Sequence, residues 1–298
     1  MKSLRNIPAS VRQRLLSLAK NDRRPFNELL QYYAMERFLY RLTQSAHADR
    51  FILKGALMLR VWRSPEIRPT MDIDMLGRTN NEVPNIVTQI RDILTVDVAA
   101  DGLVFDSESI RAEQITEDAD YAGIRIRFLG ALDSARINMQ IDIGFGDVVY
   151  PAPEASDFPT LLNFPAPRLL CYSRESSIAE KLEAMVKLGV LNSRMKDFYD
   201  IWLLSRQFDF DGAILAEAIR LTFEQRGTAL PAVIDAFTGS FIDAKQIQWA
   251  AFWKRLRQQQ VPYSFNDIAT LVSGFLTPIV AAISTDKSIP ANWIPPGW

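Results

Sequence analysis

Two short runs constrain this chain's fold more than anything else in it. In "AGIRIRFLG", Ile124, Ile126 and Phe128 alternate with Arg125 and Arg127. In "INMQIDIGFG", Ile137, Met139, Ile141 and Ile143 alternate with Asn138, Gln140 and Asp142. A period of two sends successive side chains to opposite faces, so each run predicts a strand with one buried face. Around them the pattern changes with position. Residues from about Ser10 to Ser45 read as helix, interrupted near "NDRRPF", where Pro25 suits the first turn of a second helix. Strands and helices are then mixed to about Gly146. The segment "YPAPEASDFPTLLNFPAPR", with five prolines, reads as a connector, and beyond it the chain is mostly helical to about Ser284. The expected organisation is N-terminal helices and a mixed α+β core over residues 1–165, then a mainly helical domain over 166–298. The tail "IPANWIPPGW" is too proline-rich for helix, and its tryptophans are expected to pack on the body.

Composition removes several kinds of chemistry. One cysteine, Cys171, and one histidine, His47, are too few for a zinc site, a disulfide framework or a Cys-His or Ser-His pair. His47 reads as surface or structural. The reactive groups left are carboxylates, lysines and arginines. A net charge of -1 gives no general polyanion-binding surface, so a nucleic acid would need a local basic patch. "RQRLLSLAKNDRR" and "WKRLRQQQ" are candidates, and solvated helix faces account for them as well. No run of about 18 apolar residues suggests a membrane span, and the N-terminal stretch lacks the apolar core of a secretory signal. The expectation is a soluble, cytoplasmic protein.

The carboxylates form a pattern. In "RPTMDIDMLG", Asp72 and Asp74 share one face of a predicted strand, with Met71, Ile73 and Met75 on the other. Same-face neighbours lie roughly 6 to 7 Å apart along a strand, close enough for two carboxylates to converge on one hard cation. Asp142, on the polar face of another predicted strand, adds a third if the strands are adjacent. A lone DxD also fits a solvated strand face, and Arg125 and Arg127 also fit as counter-charges for it. Just upstream, "ILKGALMLRVW" puts Gly55 at a strand-to-helix turn, where missing side-chain bulk and a helix N-terminus favour a phosphate.

Five ordered segments, KGA (Lys54 to Ala56), RPTMDID (Arg68 to Asp74), QIDIGFGD (Gln140 to Asp147), AEKLEAM (Ala179 to Met185) and NSRMKDFYD (Asn192 to Asp200), resemble the AbiEii/AbiGii family of nucleotidyltransferase toxins. The resemblance covers about residues 25 to 280. It implies an α+β, polymerase-beta-like nucleotidyltransferase core joined to a helical domain, acting as the toxin of a bacterial toxin-antitoxin or phage-defence pair with a cognate antitoxin. Related toxins transfer NMP from an NTP to the 3′ acceptor end of tRNA, blocking translation. The family's usual glycine-serine pair reads Gly55-Ala56 here, so backbone amides must hold the phosphates without that hydroxyl. The interval before Asp72 also carries an extra-looking "RSPEIRP".

Within this frame Asp72, Asp74 and Asp142 are the expected ligands of Mg2+, or Mn2+ in its place. Lys54, Gly55, Ala56, Arg68 and Thr70 fall in the motifs expected to meet the nucleotide. In "SSIAEKLEAMVKLG" a capping box, Ser177 with Glu180, predicts a helix start, and Gly189 a stop. Ile178, Leu182, Met185 and Leu188 form its apolar face, with Glu180, Glu183 and Lys187 opposite. Lys181 lies within the apolar arc, where a lysine either snorkels or meets an anion; the resemblance points to the triphosphate. In the apolar helix "SRMKDFYDIWLLS", Asp197 needs a cation, for which Lys181 or Arg194 are candidates, while Lys196 and Asp200 fall on a more polar side. Asp197 is read as orienting Lys181 in the catalytic site or as half of a structural ion pair; Arg194 and Lys196 join the nucleotide-binding set. The expected reaction is attack of an RNA hydroxyl on the NTP α-phosphate. Nucleotidylation of a protein or small molecule, and a non-catalytic RNA- or partner-binding module, are the alternatives.

Overall fold

The computed structural model describes residues 6–65, 68–117, 121–256, 258, 260–285 and 287–298. They form two compact units, Met1–Gly146 with Glu154–Cys171, and Asp147–Pro153 with Tyr172–Trp298. In the first unit, helix α1 (Ile7–Asn21) is capped by Asn6, whose side chain accepts from the amide of Ala9. The chain turns through Arg23, at φ 53°, into α2 (Phe26–Gln44), with Pro25 at its N-cap. Strand β1 (Phe51–Lys54) and a 3-10 turn at Gly55–Leu57 lead into the one-turn helix α3 (Met58–Val61). Then come β2 (Ile73–Gly77), α4 (Val83–Leu94), β3 (Leu103–Glu117), β4 (Tyr121–Leu132), β5 (Ala135–Phe145), β6 (Glu154–Asp157) and β7 (Arg168–Cys171).

These strands make one mixed sheet in the order β3-β4-β5-β2-β1-β7-β6. Pairs β2 with β5 and β1 with β7 are parallel; the others are antiparallel. The period-two runs behave as their pattern requires: Ile124, Ile126, Phe128, Ile137, Met139, Ile141 and Ile143 are buried. Arg125 and Gln140 on the other face are half-buried and Arg127 and Asn138 are exposed. That face ends at Asp142, which is buried at 7% exposure.

The proline-rich segment is more than a connector, because most of it belongs to the first unit. Two charges on α2 hold it there. Glu36 and Arg37 are 0% and 1% exposed, and a buried charge needs partners. Glu36 Oε2 accepts from the Leu161 amide at 2.7 Å, and Arg37 Nη2 donates to the Pro165 carbonyl at 2.7 Å. Glu36 Oε1 lies 3.0 Å from Arg37 Nη2, but the two neighbouring side chains are not aligned for a hydrogen bond. Burial outweighs Arg37 and pushes the Glu36 carboxyl up to about 7.

The second unit contains α5 (Arg174–Leu188), α6 (Met195–Gln207), β8 (Phe210–Asp211), α7 (Gly212–Gln225), α8 (Gly239–Leu256), α9 (Phe265–Thr285) and β9 (Asn292–Trp293), which pairs with β8. Helix α5 starts about a turn earlier than the Ser177 box predicts. Its N-cap is Ser173, whose side chain accepts from the Ser176 amide, and Gly189 stops it at φ 48°. Helix α9 is long and apolar enough to cross a membrane, although the sequence reading found no such run. Its Phe265, Ile268, Val272, Phe275, Leu276 and Ile279 are buried within the second unit, as in a core helix. The tail packs as expected: Trp293 Nε1 donates to the Ser205 carbonyl at 2.6 Å, and Trp298 stacks on Phe275.

Candidate active site

Asp72 stands one residue before β2, and Asp74 is its second residue. In register, Asp74 faces Lys54 of β1 on one side and Asp142 of β5 on the other. The parallel pairing that sequence periodicity left open therefore brings the third carboxylate to the first two. One oxygen from each of Asp72, Asp74 and Asp142 lies within 4.8 Å of the others. Three hard oxygen donors converging in this way fit a divalent cation such as Mg2+, which neutralises their repulsion.

Helix α2 positions the approach to β2. Gln31 Nε2 donates to the carbonyls of Met71 at 3.0 Å and Asn138 at 3.1 Å, tying the DxD segment to β5. The Tyr32 hydroxyl accepts from the Thr70 amide at 3.2 Å and reaches the Arg68 carbonyl at 3.5 Å. The Arg60 guanidinium stands 4.8 Å over the Tyr32 ring. Thr70, only 8% exposed, donates its hydroxyl to Asp72 Oδ1. Sequence reasoning missed Gln31 and Tyr32, which lie among both apolar and charged residues of α2. Met71, expected on the apolar face beside Ile73 and Met75, is 55% exposed, because the strand begins only at Ile73.

Gly55 stands at the turn between β1 and the helical segment that follows, and it approaches Asp74 closely. Its φ is +71°, and a Cβ there would lie 2.6 Å from Asp74 Cγ and 2.7 Å from Asp74 Cβ. Only glycine accommodates both this backbone and the Asp74 carboxylate. The four-residue α3 is too short to supply the helix-end field expected at Gly55. Ala56 is 4% exposed and packs inward. In the preceding "RSPEIRP" interval, Glu66 and Ile67 lie outside the described residues.

Of the two arginines on β4, one is tied to the triad. Arg125 forks onto Asp142, Nε to Oδ1 at 2.8 Å and Nη2 to Oδ2 at 2.7 Å, with Gln140 Nε2 3.3 Å from Oδ2. This fork raises the Arg125 pKa above its ordinary value, against burial. Arg127 instead meets Glu113 at 2.9 Å and Gln140 at 3.1 Å.

The second unit gathers the other predicted residues. Lys181 Nζ lies 2.8 Å from Asp197 Oδ1 and 2.9 Å from Asp200 Oδ2, and Arg194 Nε also meets Asp197. Burial alone would raise the pKa of Asp197, which is fully buried; Lys181 and Arg194 overcome it and hold the carboxyl below its ordinary value. Asp200, expected on the polar side beside Lys196, is 4% exposed, whereas Lys196 is exposed. Glu183, expected among solvated charges, is fully buried, because Arg226 Nη1 reaches its Oε2 at 2.8 Å. The scarce residues have structural surroundings. His47 Nε2 lies 3.0 Å from Asp92 Oδ2, and burial pushes the Cys171 thiol up to about 12.

The family described as nucleotidyl transferase AbiEii toxin, type IV TA system, matches residues 37–271, well over half of the chain. Two solved structures from Helicobacter pylori are similar in shape. JHP933 has a TM-score of 0.47 and 12% identity, covering 84% of this chain and 93% of its own. A presumptive nucleotidyltransferase has a TM-score of 0.43 and 14% identity, covering 84% and 96%. No curated protein sequence matches the chain at a significant level. The extent of the family match shows that this chain belongs to the AbiEii family, the nucleotidyltransferase toxins of type IV toxin-antitoxin systems.

Proposed function

We propose that the protein transfers NMP from an NTP to the 3′ acceptor end of tRNA in the cytoplasm, releasing pyrophosphate and blocking translation until a cognate antitoxin restrains it. The observation that carries the chemistry is the convergence of Asp72, Asp74 and Asp142 within 4.8 Å at adjacent strands of a nucleotidyltransferase-family chain. In this reading Asp72 and Asp74 would hold Mg2+, and Asp142 would complete the oxygen set. The ion supplies charge neutralisation and lowers the pKa of a neighbouring hydroxyl. Thr70 fixes one Asp72 oxygen, and Gly55 leaves room for the Asp74 carboxylate. Lys54, the Gly55-Ala56 backbone and Arg68 meet the nucleotide, joined by Arg194 and Lys196. Lys181 stabilises negative charge on the triphosphate, oriented by Asp197, as phosphoryl transfer depends chiefly on positioning and electrostatics. Attack by the RNA hydroxyl forms the new O–P bond at the α-phosphorus as the bond to pyrophosphate breaks.

The test is incubation with Mg2+, each α-labelled NTP in turn, total tRNA and cell protein. Label is expected on tRNA with wild type and not with Asp72→Asn. Label on protein would overturn the acceptor assignment, and no label on any acceptor would favour a non-catalytic binding module.

A further inference from the structure

The basic run "WKRLRQQQ" begins in the last turn of α8, and residues 261–264 then lead into α9. Side chains of α8 fix the backbone of this loop. Trp253 Nε1 donates to the Val261 carbonyl at 2.8 Å, and Trp249 Nε1 to the Pro262 carbonyl at 3.1 Å. Gln246 donates to the Tyr263 carbonyl at 3.1 Å and accepts from the Phe265 amide at 2.8 Å. Held this firmly, the loop still leaves its largest side chain in water. Tyr263 is 58% exposed, stands edge to face with the Trp253 indole at 5.3 Å, and its hydroxyl has no hydrogen-bond partner among the described residues. On α8 itself Ile247, Ala251 and Lys254 follow at helical spacing, with Arg255 one turn beyond Ala251, and all four are exposed. Neither cation forms an ion pair among the described residues. A place in the last turn suits their charge to the helix dipole, but that does not account for an exposed ring on a fixed backbone.

We propose that this corner of α8 and α9 is a docking platform for single-stranded RNA, with a base stacked on Tyr263 and backbone phosphates meeting Lys254 and Arg255. The proposal rests on the RNA acceptor of the proposed function. A fixed aromatic ring near unpaired cations matches a strand that offers a π-face and a negative charge at every nucleotide. The protein's net charge of -1 makes this attraction local to the patch. Charge complementarity favours RNA over a protein partner, since Ile247 is the one large apolar side chain on the exposed strip of α8 and supplies little of an interface core.

Fluorescence anisotropy of a labelled, unstructured single-stranded RNA and of labelled total tRNA, titrated with the full chain over a range of salt, reads both contacts. Tyr263→Ala is expected to weaken binding about tenfold with the salt slope unchanged, and Tyr263→Phe, which keeps the ring, to bind like wild type. Lys254→Gln combined with Arg255→Gln is expected to weaken binding and to reduce the slope of log affinity against log salt by about 1.4, near 0.7 for each phosphate contact on a single strand. Thermal melting checks folding, and the charge variant carries the test if Tyr263→Ala does not fold. Unchanged affinity and slope in the folded variants, with RNA still bound by wild type, overturns the platform and leaves the patch to a protein contact, while the RNA acceptor stands. Absence of binding to either RNA by wild type overturns the acceptor reading with it.

Discussion

Two charged clusters among the described residues arrange the same side-chain types differently. In the first unit three carboxylates converge at a partly exposed edge, with a guanidinium fork from Arg125 on Asp142. In the second, Lys181 and Arg194 meet Asp197 and Asp200 one for one, and both carboxylates are buried. Like charges held together by the fold cost stability and favour a ligand of opposite sign. Balanced charges that satisfy one another inside a core favour a single geometry, and their rupture is costly. The first cluster thus fits a divalent cation, and the second pairs its charges inside a core.

Variants at the two clusters sharpen this contrast. Asp72→Asn or Asp74→Asn is expected to reduce nucleotide transfer on the order of a thousandfold, about 4 kcal/mol in the barrier. For Asp72→Asn melting temperature should hold or rise, because a repulsive charge is gone. Asp197→Asn should do the reverse for stability: it leaves Lys181 and Arg194 facing a neutral amide, and denaturant unfolding should show a loss of about 3 to 5 kcal/mol. Transfer should also fall as Lys181 loses its orientation. Intact transfer by a destabilised Asp197→Asn would make that cluster purely structural.

Glu36 offers a buried carboxyl whose partners, the Leu161 amide and Arg37, do not offset its burial. Its carboxyl is raised from 4.5 to about 7, so the folded state binds the extra proton. Stability is therefore fully present below about 4.5 and falls as pH rises to about 7, by on the order of 3 kcal/mol. Glu36→Gln should flatten that slope in urea unfolding measured from pH 5 to 8. The smallest effect is expected at Thr70: Thr70→Val removes the hydroxyl bond to Asp72, costing about 1 kcal/mol, which transfer kinetics would read as a several-fold loss.

What the sequence disclosed depended on the range of the interaction. The strands β4 and β5 were legible because alternation is local, and so was the shared face of Asp72 and Asp74. The need of Asp197 for a cation followed from its place on an apolar helix, with Lys181 or Arg194 as candidates, and both meet it. Gly55 was legible at its strand-to-helix turn, but its close approach to Asp74 joins β1 to β2 and leaves no local pattern. Gln31 and Tyr32 reach segments about forty residues away, from Arg68 to Met71, and further to Asn138. The choice of Arg125 over Arg127 for Asp142 is set by cross-strand register. Glu183 looked solvated because its partner, Arg226, lies on a different part of the chain.

Transfer of α-labelled nucleotide to tRNA by wild type and Asp74→Asn, with Mg2+ and again with excess EDTA, tests the central claim most directly. Label on RNA only for wild type with Mg2+ is the predicted result. Labelling that persists in EDTA, or that Asp74→Asn performs as well as wild type, would contradict a cation-binding role for the acidic triad.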